Sequence, residues 1–426
     1  MEIFNRIKNA NDAIGPGFCV LKWWHQEMHL AEGINMSCYH CPPHNLSLDE
    51  DLHNTSFKKE QRKVMLEGGK PDECTRCWDL EDIGQIASPR QVLSTIHLKE
   101  DKNIITSTAS IPWNTDVYPK YLELSFSNTC QLKCSYCAPQ KSSSWYNEMK
   151  KHGNYDLSPE NKKQYDLNAG WTLYEEETNP FIKKFWEWFP DAYDNLHTLR
   201  VTGGEPFLSE HTYKLIDYIK ANPKENLKFH VNSNLCVSTK KIQKYIDSTK
   251  DFKYNKVYVS IDSWGEQAEW IRHGLKLDLF NENLQHILDS GIDVGFMITF
   301  CLLSIPKFDL LLRTISELKK RYPNQIHIDT PHMTEPVHLS ALIADDDMKK
   351  MLDNHYNLMK SLNFEEAEIA KFKTCIEWIK NTPINDIKTH RKDFVKFVEE
   401  HDRRRNTNWH KSFPELKNFY RLCNAR

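Results

Sequence analysis

The stretch NTCQLKCSYCAPQ, residues 128 to 140, places Cys130, Cys134 and Cys137 in one short loop. Thiolates are soft ligands that suit zinc and iron-sulfur clusters. At spacings of four and three residues, three of them can converge on a single centre. Structural zinc closes its shell with four protein ligands, so a set of three leaves a position open for a substrate or cofactor. A cubane iron-sulfur cluster held by three cysteines would have one iron free. Spacing alone also allows a zinc site completed by a distant His, or three structural cysteines.

A second thiol group lies upstream. Cys38 with Cys41 and Cys74 with Cys77 form two CxxC pairs, a pattern for a tetrathiolate site holding zinc or an iron-sulfur cluster. Cys19 is a fifth candidate, so five thiols compete for four places. Cys236, Cys301, Cys375 and Cys423 stand apart and read as small buried hydrophobes.

The elements that must position these loops follow from periodicity. Runs at 121–128, 197–203, 227–234, 256–262, 293–300 and 326–332 are short, β-rich and apolar on alternate positions, and predict strands. Helical patterns lie between them. SEHTYKLIDYIKA opens on a Ser cap, LFNENLQHILDSG closes on Gly291, and FDLLLRTISELKKRYP stops at a proline. Alternating strands and helices argue for a parallel sheet with crossovers. Residues 15 to 97 have few periodic segments and many His, Cys, Pro and Trp, with the polar LKEDKNIITSTAS following. After about residue 345 the chain reads as helical and charged, and Arg403 to Arg405 read as a solvated surface. The predicted class is α/β: a partial (β/α)6 TIM-like barrel over 118–340, a small Cys-rich unit over 1–110 and a helical extension over 341–426.

Composition narrows the function classes. At 426 residues the chain can bury one large core or two ordinary ones. Lys plus Arg (56) nearly balances Asp plus Glu (59), so no bulk field points to nucleic acid or an anionic membrane. No long apolar run or secretory signal is evident, and the protein is expected to be soluble and cytoplasmic, with reduced thiols.

On these residues the chain resembles the radical S-adenosylmethionine (radical SAM) superfamily. Cys130, Cys134 and Cys137, with Tyr136 before the last, match that family's CxxxCxΦC signature at the first strand-to-helix loop. TGGEP, Thr202 to Pro206, is similar to the family's GGEP segment, which implies that Gly203, Gly204 and Glu205 hold the methionine amino group of SAM. Glycines permit close backbone approach and a carboxylate suits an ammonium. In VSIDS, Ser260 and Asp262 stand at a strand end, and EWIRHG supplies Arg272. The resemblance gives Ser260 the SAM ribose and Arg272 the carboxylate. Asn234 in VNSNLC resembles the family's TNG segment, with Leu235 in place of Gly. The resemblance implies a [4Fe-4S] cluster on Cys130, Cys134 and Cys137. It also implies an electron donor such as flavodoxin or ferredoxin, and reductive cleavage of SAM to a 5′-deoxyadenosyl radical that abstracts a substrate hydrogen.

The segment from FCVLKWWH to MLEGGKPDECTRCW resembles the auxiliary-cluster (twitch or SPASM-like) segments of many radical SAM enzymes. In those it usually follows the barrel, whereas here it precedes it. This implies a second iron-sulfur cluster, with zinc the alternative, on ligands among Cys19, Cys38, Cys41, Cys74 and Cys77. Auxiliary clusters accompany modification of peptides or protein side chains, so a peptidyl substrate is the expectation. A nucleotide or nucleic-acid substrate, and a non-catalytic zinc-stabilised binding protein, are the alternatives. The long interval from Cys137 to Gly203 reads as a lid or substrate platform, with Trp145 and Trp171 as stacking candidates and Phe185, Trp186 and Phe189 as core.

Overall fold

A computed structural model describes residues 2–82, 88–167, 170 and 172–424, with no account of the side chains of 2–6. All six predicted strands form: Tyr121–Ser125, Thr198–Thr202, Lys228–Ser233, Tyr254–Ser260, Asp293–Met297 and Ile326–Asp329. Helices follow them, among them Glu210–Ala221, Thr239–Thr249, Leu277–Asp289 and Phe308–Arg321, giving the βα alternation of a partial (β/α)6 barrel. Several runs leave the ladder earlier than the apolar pattern suggests. Residues 126–128, 261–262 and 298–300 lie past the strand ends. There the pairing becomes irregular: the Thr299 N–H donates to Asp262 at 2.9 Å, while the Ile298 and Phe300 N–H groups still donate to the Asp329 and Pro331 carbonyls.

The chain divides into two compact units, one of residues 1–127, 172–202 and 224–229, the other of residues 128–171, 203–223 and 230–426. In the first, His25–His29 runs parallel to Tyr121–Ser125, which runs parallel to Thr198–Thr202, with Glu27, Glu123 and Arg200 level across the three strands. Leu122, Leu124, Leu199 and Val201 carry the buried apolar face. The helix Pro180–Tyr193 starts with proline in its first turn and an Asn179 cap that accepts from the Phe181 and Ile182 N–H groups. It buries Phe185 and Phe189, as their spacing predicts, while Trp186 lies parallel to Phe126 with ring centres 6.2 Å apart.

The described residues among 15–97 carry more regular structure than their texture suggests. They contain the strand His25–His29 and the helices Ser56–Leu66 and Pro89–Glu100, and the polar stretch beyond forms the helix Ile104–Ala109. The pattern was hidden because polar residues take core positions: Lys58 donates to Gln26 Oε1 at 2.7 Å, and Arg90 is bound by Glu81 and by the Phe18 carbonyl.

In the second unit Tyr254–Ser260, Asp293–Met297 and Ile326–Asp329 form a parallel ladder over Val257, Val259, Val294, Phe296 and Ile326, all buried. Ser209 caps the helix after the second predicted strand, accepting from the His211 N–H. The C-terminal helices include Asp346–Ser361, Glu366–Asn381, Ile387–Arg405 and Lys417–Asn424. The solvated reading of the arginine run holds for Arg403 alone. The side chains of Arg404 and Arg405 are 1% and 0% exposed, because Glu400 pairs with the first and Glu148 with the second. Among the described residues no helix is long and apolar enough to cross a membrane.

Candidate metal and cofactor site

The three-cysteine loop belongs to the second unit and is pinned from several sides. Lys133–Cys134 pairs antiparallel with Arg272–His273. The serines of the following SSS run fasten the rest: Ser142 Oγ donates to the Leu132 carbonyl at 2.7 Å, Ser144 Oγ donates to the Cys130 carbonyl at 2.7 Å, and Ser143 Oγ accepts from the Cys130 N–H at 3.1 Å. Ser142 also caps the helix Ser143–His152, accepting from the Trp145 N–H. Trp145 is fully buried and its indole N–H donates to the Cys134 carbonyl at 2.7 Å. It supports the loop from inside, which corrects its reading as a candidate for stacking on a substrate. Trp171 lies outside the described residues.

Cys130 and Cys134 are buried, Cys137 half-buried, and none is in a disulfide. Burial raises the pKa of each thiol, Cys137 to about 12, while Arg272 opposes the rise at Cys134. Protons would have to be displaced by a metal for these groups to act as ligands. Two N–H donors already aim at the sulfurs: Asn234 Nδ2 lies 3.7 Å from Cys130 Sγ and Arg272 Nη1 lies 3.6 Å from Cys134 Sγ. Donors of this kind stabilise thiolate in a metal-sulfur centre, so the donor set fits the cluster that the resemblance implies.

Around this loop the strand ends bring most of the predicted residues together. Gly203 has φ +110°, and a Cβ on Gly204 would meet the Thr129 carbonyl oxygen at 2.3 Å. Glycine at 204 is therefore required by the backbone that leads into Cys130, and the Glu205 N–H donates to that same carbonyl at 2.8 Å. The Glu205 carboxylate is buried and accepts from Ser233 Oγ at 2.8 Å, the Asn234 N–H at 2.8 Å and the Phe207 N–H at 3.2 Å. Burial outweighs these bonds and pushes its pKa up to about 7. Asn234 Oδ1 accepts from Gln131 Nε2 and from the Cys236 N–H. Leu235, where the resembling segment has Gly, adopts φ +52°. The departure from the motif thus keeps glycine's backbone conformation, at a cost of about 1–2 kcal/mol.

Asp262 and Arg272 form a buried two-point pair, with Nε donating at 2.8 Å and Nη2 at 3.1 Å. Tyr136 donates its hydroxyl to Asp262 at 2.7 Å, and the Arg272 guanidinium lies 5.6 Å from the Tyr136 ring centre. Arg272 thus faces Asp262 with one edge and Cys134 with the other. Ser260 ends its strand half-buried, level with Met297 on the neighbouring strand.

Sequence reasoning missed two features of this region. Cys236 is only half-buried and packs against Cys130, Leu132 and Cys134, whereas Cys301, Cys375 and Cys423 are buried as expected. Its position two residues past Asn234 was the available signal. Arg405 reaches the loop from far along the chain, and nothing in the local sequence marks it.

In the first unit Cys19, Cys38, Cys41, Cys74 and Cys77 line one cavity together with His40, Arg76 and Arg90. Cys41 is central, its sulfur 3.4 Å from that of Cys38 and 3.9 Å from that of Cys74. The contacts with these two thiols hold its pKa down, while those of Cys38 and Cys74 are driven up. Lys22, fully buried, pairs with Glu73 beside them. Four tetrahedral thiolates on one zinc would stand about 3.8 Å apart, given Zn–S near 2.3 Å, so this spacing matches a single ion.

Residues 124–312 match the family model described as the Radical SAM superfamily. No curated protein matches the sequence. Similar solved structures include a hexahistidine-tagged anSMEcpe with bound AdoMet, at 12% identity and TM-score 0.36, covering 56% of this chain and 58% of that one. Streptococcus suis SuiB bound to S-adenosylmethionine aligns at 13% identity and TM-score 0.40, covering 80% of this chain and 70% of that one. The same protein bound to its precursor peptide SuiA aligns at 12% identity and TM-score 0.39, with the same coverage. The chain thus spans 58% of the first of these structures.

Proposed function

From the match of residues 124–312 to the Radical SAM superfamily model we propose that this protein binds SAM beside a [4Fe-4S] cluster on Cys130, Cys134 and Cys137 and acts on a peptidyl or protein side chain. When bound, the cluster and SAM supply one-electron cleavage of the sulfonium, yielding methionine and a 5′-deoxyadenosyl radical. The single observation that carries the reading is the set of three thiols, two buried and one half-buried, with Asn234 and Arg272 N–H groups directed at two of the sulfurs. Glu205 is the acceptor for the methionine ammonium, Ser260 the contact for the ribose, and Asp262 with Tyr136 the groups that fix Arg272. The electron comes from a flavodoxin or ferredoxin. The test is to reconstitute the protein anaerobically with iron and sulfide and supply SAM and dithionite. 5′-Deoxyadenosine is the expected product, and its absence from an iron-loaded protein would refute the proposal.

Glu205 makes the SAM affinity pH-dependent. Its carboxyl is raised to about 7, so it loses its proton and gains attraction for an ammonium as pH rises. SAM is expected to bind several-fold more tightly at about pH 7.5 than at about pH 6, and Glu205→Gln to flatten the dependence. Equilibrium dialysis across that range checks both.

For the first unit we propose a second iron-sulfur cluster on four of its five cysteines, the feature that favours a peptidyl substrate. The alternative of one zinc ion is supported by the 3.4 and 3.9 Å sulfur spacings. Cys74→Ala with Cys77→Ala is expected to remove about half of the bound iron, since each cubane holds an equal share. Unchanged iron accompanied by loss of zinc would establish the mononuclear site instead.

A further inference from the structure

We infer that Arg405, the last residue of the helix Ile387–Arg405, is a positioning residue that holds Cys134 from behind and raises the potential at which a cluster there accepts its electron. The inference rests on the radical SAM reading above, and Arg405 lies outside the matched segment 124–312.

An arginine side chain with no solvent exposure is uncommon, and here every part of the fork is committed. Nε donates to Glu148 at 3.1 Å, Nη2 donates to Glu148 at 3.1 Å, and Nη1 donates to the Lys133 carbonyl at 2.7 Å. The guanidinium lies 4.5 Å from the Trp145 ring centre, and the Trp145 indole N–H donates to the Cys134 carbonyl at 2.7 Å. The carbonyls of Lys133 and Cys134, two consecutive residues, are therefore both held by one connected group. The same helix end also grips the helix Glu266–Ile271, which leads into the opposing strand Arg272–His273, since Asp402 accepts from the Trp270 indole at 3.0 Å and His401 stacks on Trp270 at 3.7 Å.

The charges favour the same conclusion. Arg405 and Lys133 both pair with the one carboxylate of Glu148, leaving one positive charge in excess, whereas the charge of Arg272 is matched by Asp262. Reduction adds one electron, taken from the donor, and so one negative charge to the cluster. In a buried setting a nearby fixed cation stabilises the reduced form more than the oxidised one.

The test uses the full chain reconstituted with iron and sulfide, titrated with dithionite, with the EPR signal that responds to SAM as the readout. Arg405→Met is expected to shift the reduction equilibrium about tenfold against the reduced form, 59 mV for a one-electron couple. Arg405→Lys should stay near the parent value. Glu148→Gln, which removes the negative partner, should shift in the opposite direction. A role in packing alone would move Arg405→Met and Glu148→Gln the same way or leave both at the parent value, and either result overturns the inference. Should Arg405→Met lose its iron, the direction of the Glu148→Gln shift decides, and a downward shift overturns it. A parent protein with no SAM-responsive signal would remove the radical SAM reading and this inference with it, and is recognised because the failure is in the unsubstituted chain.

Discussion

Replacing any one of Cys130, Cys134 and Cys137 with alanine is expected to lower 5′-deoxyadenosine formation by about a thousandfold or more, at least 4 kcal/mol of barrier. Each thiol is an equal part of the donor set and none has a substitute placed to take over its bonds. Cys236 is the nearest further thiol, but its N–H is tied to Asn234 and its sulfur faces the Lys276 carbonyl at 3.9 Å. The loop itself should survive, because the contacts of Ser142, Ser143, Ser144 and Trp145 are made to its backbone rather than to its sulfurs. Iron analysis beside the activity assay separates the two effects. Lost activity with lost iron and an unchanged circular dichroism spectrum is the expected combination, and full activity in any of the three variants would exclude the thiol concerned as a ligand.

Arg272→Met should destabilise the metal-free protein by about 3–5 kcal/mol, because it leaves the Asp262 carboxylate buried without its cation. Asp262 has no solvent exposure, and only the Tyr136 hydroxyl and the Thr299 N–H would remain as donors to it. The effect should exceed that of Arg272→Lys, which keeps the charge but loses the fork that reaches both carboxylate oxygens and Cys134. Urea denaturation of the two variants checks the order. A change below about 1 kcal/mol in Arg272→Met would mean that the pair is solvated in solution, as surface pairs are. Because the same guanidinium donates toward Cys134 Sγ, the variant should also reconstitute with less iron.

Where a site is made of neighbours in the chain, its sequence displays it. Cys130, Cys134 and Cys137 share one loop, and Gly203 to Glu205 share one strand end, so residue type and spacing carry their chemistry directly. Strands such as Tyr254–Ser260 were legible because burial alternates along them. Legibility fails where partners are distant. Arg405 and Glu148 are 257 residues apart, and a basic run at a helix end looks the same in sequence whether it faces water or a buried carboxylate. Trp145 reads as a stacking candidate because an aromatic in a long insertion has no periodic pattern to place it. In the first unit, buried Lys58, Arg62 and Arg90 broke the apolar periodicity and concealed both helices and a strand. Leu235 hid a glycine-like turn, since a φ of +52° leaves no trace in residue type when leucine adopts it.

The most direct measurement is the EPR spectrum of the anaerobically reconstituted, dithionite-reduced protein before and after addition of SAM. If three thiols leave one iron open to the amino acid end of SAM, a [4Fe-4S] signal is present, a component of it changes on addition, and that SAM-responsive component is absent from the Cys130, Cys134, Cys137 triple alanine variant. A protein that takes up only zinc, or a signal that SAM leaves unaltered, would contradict the account.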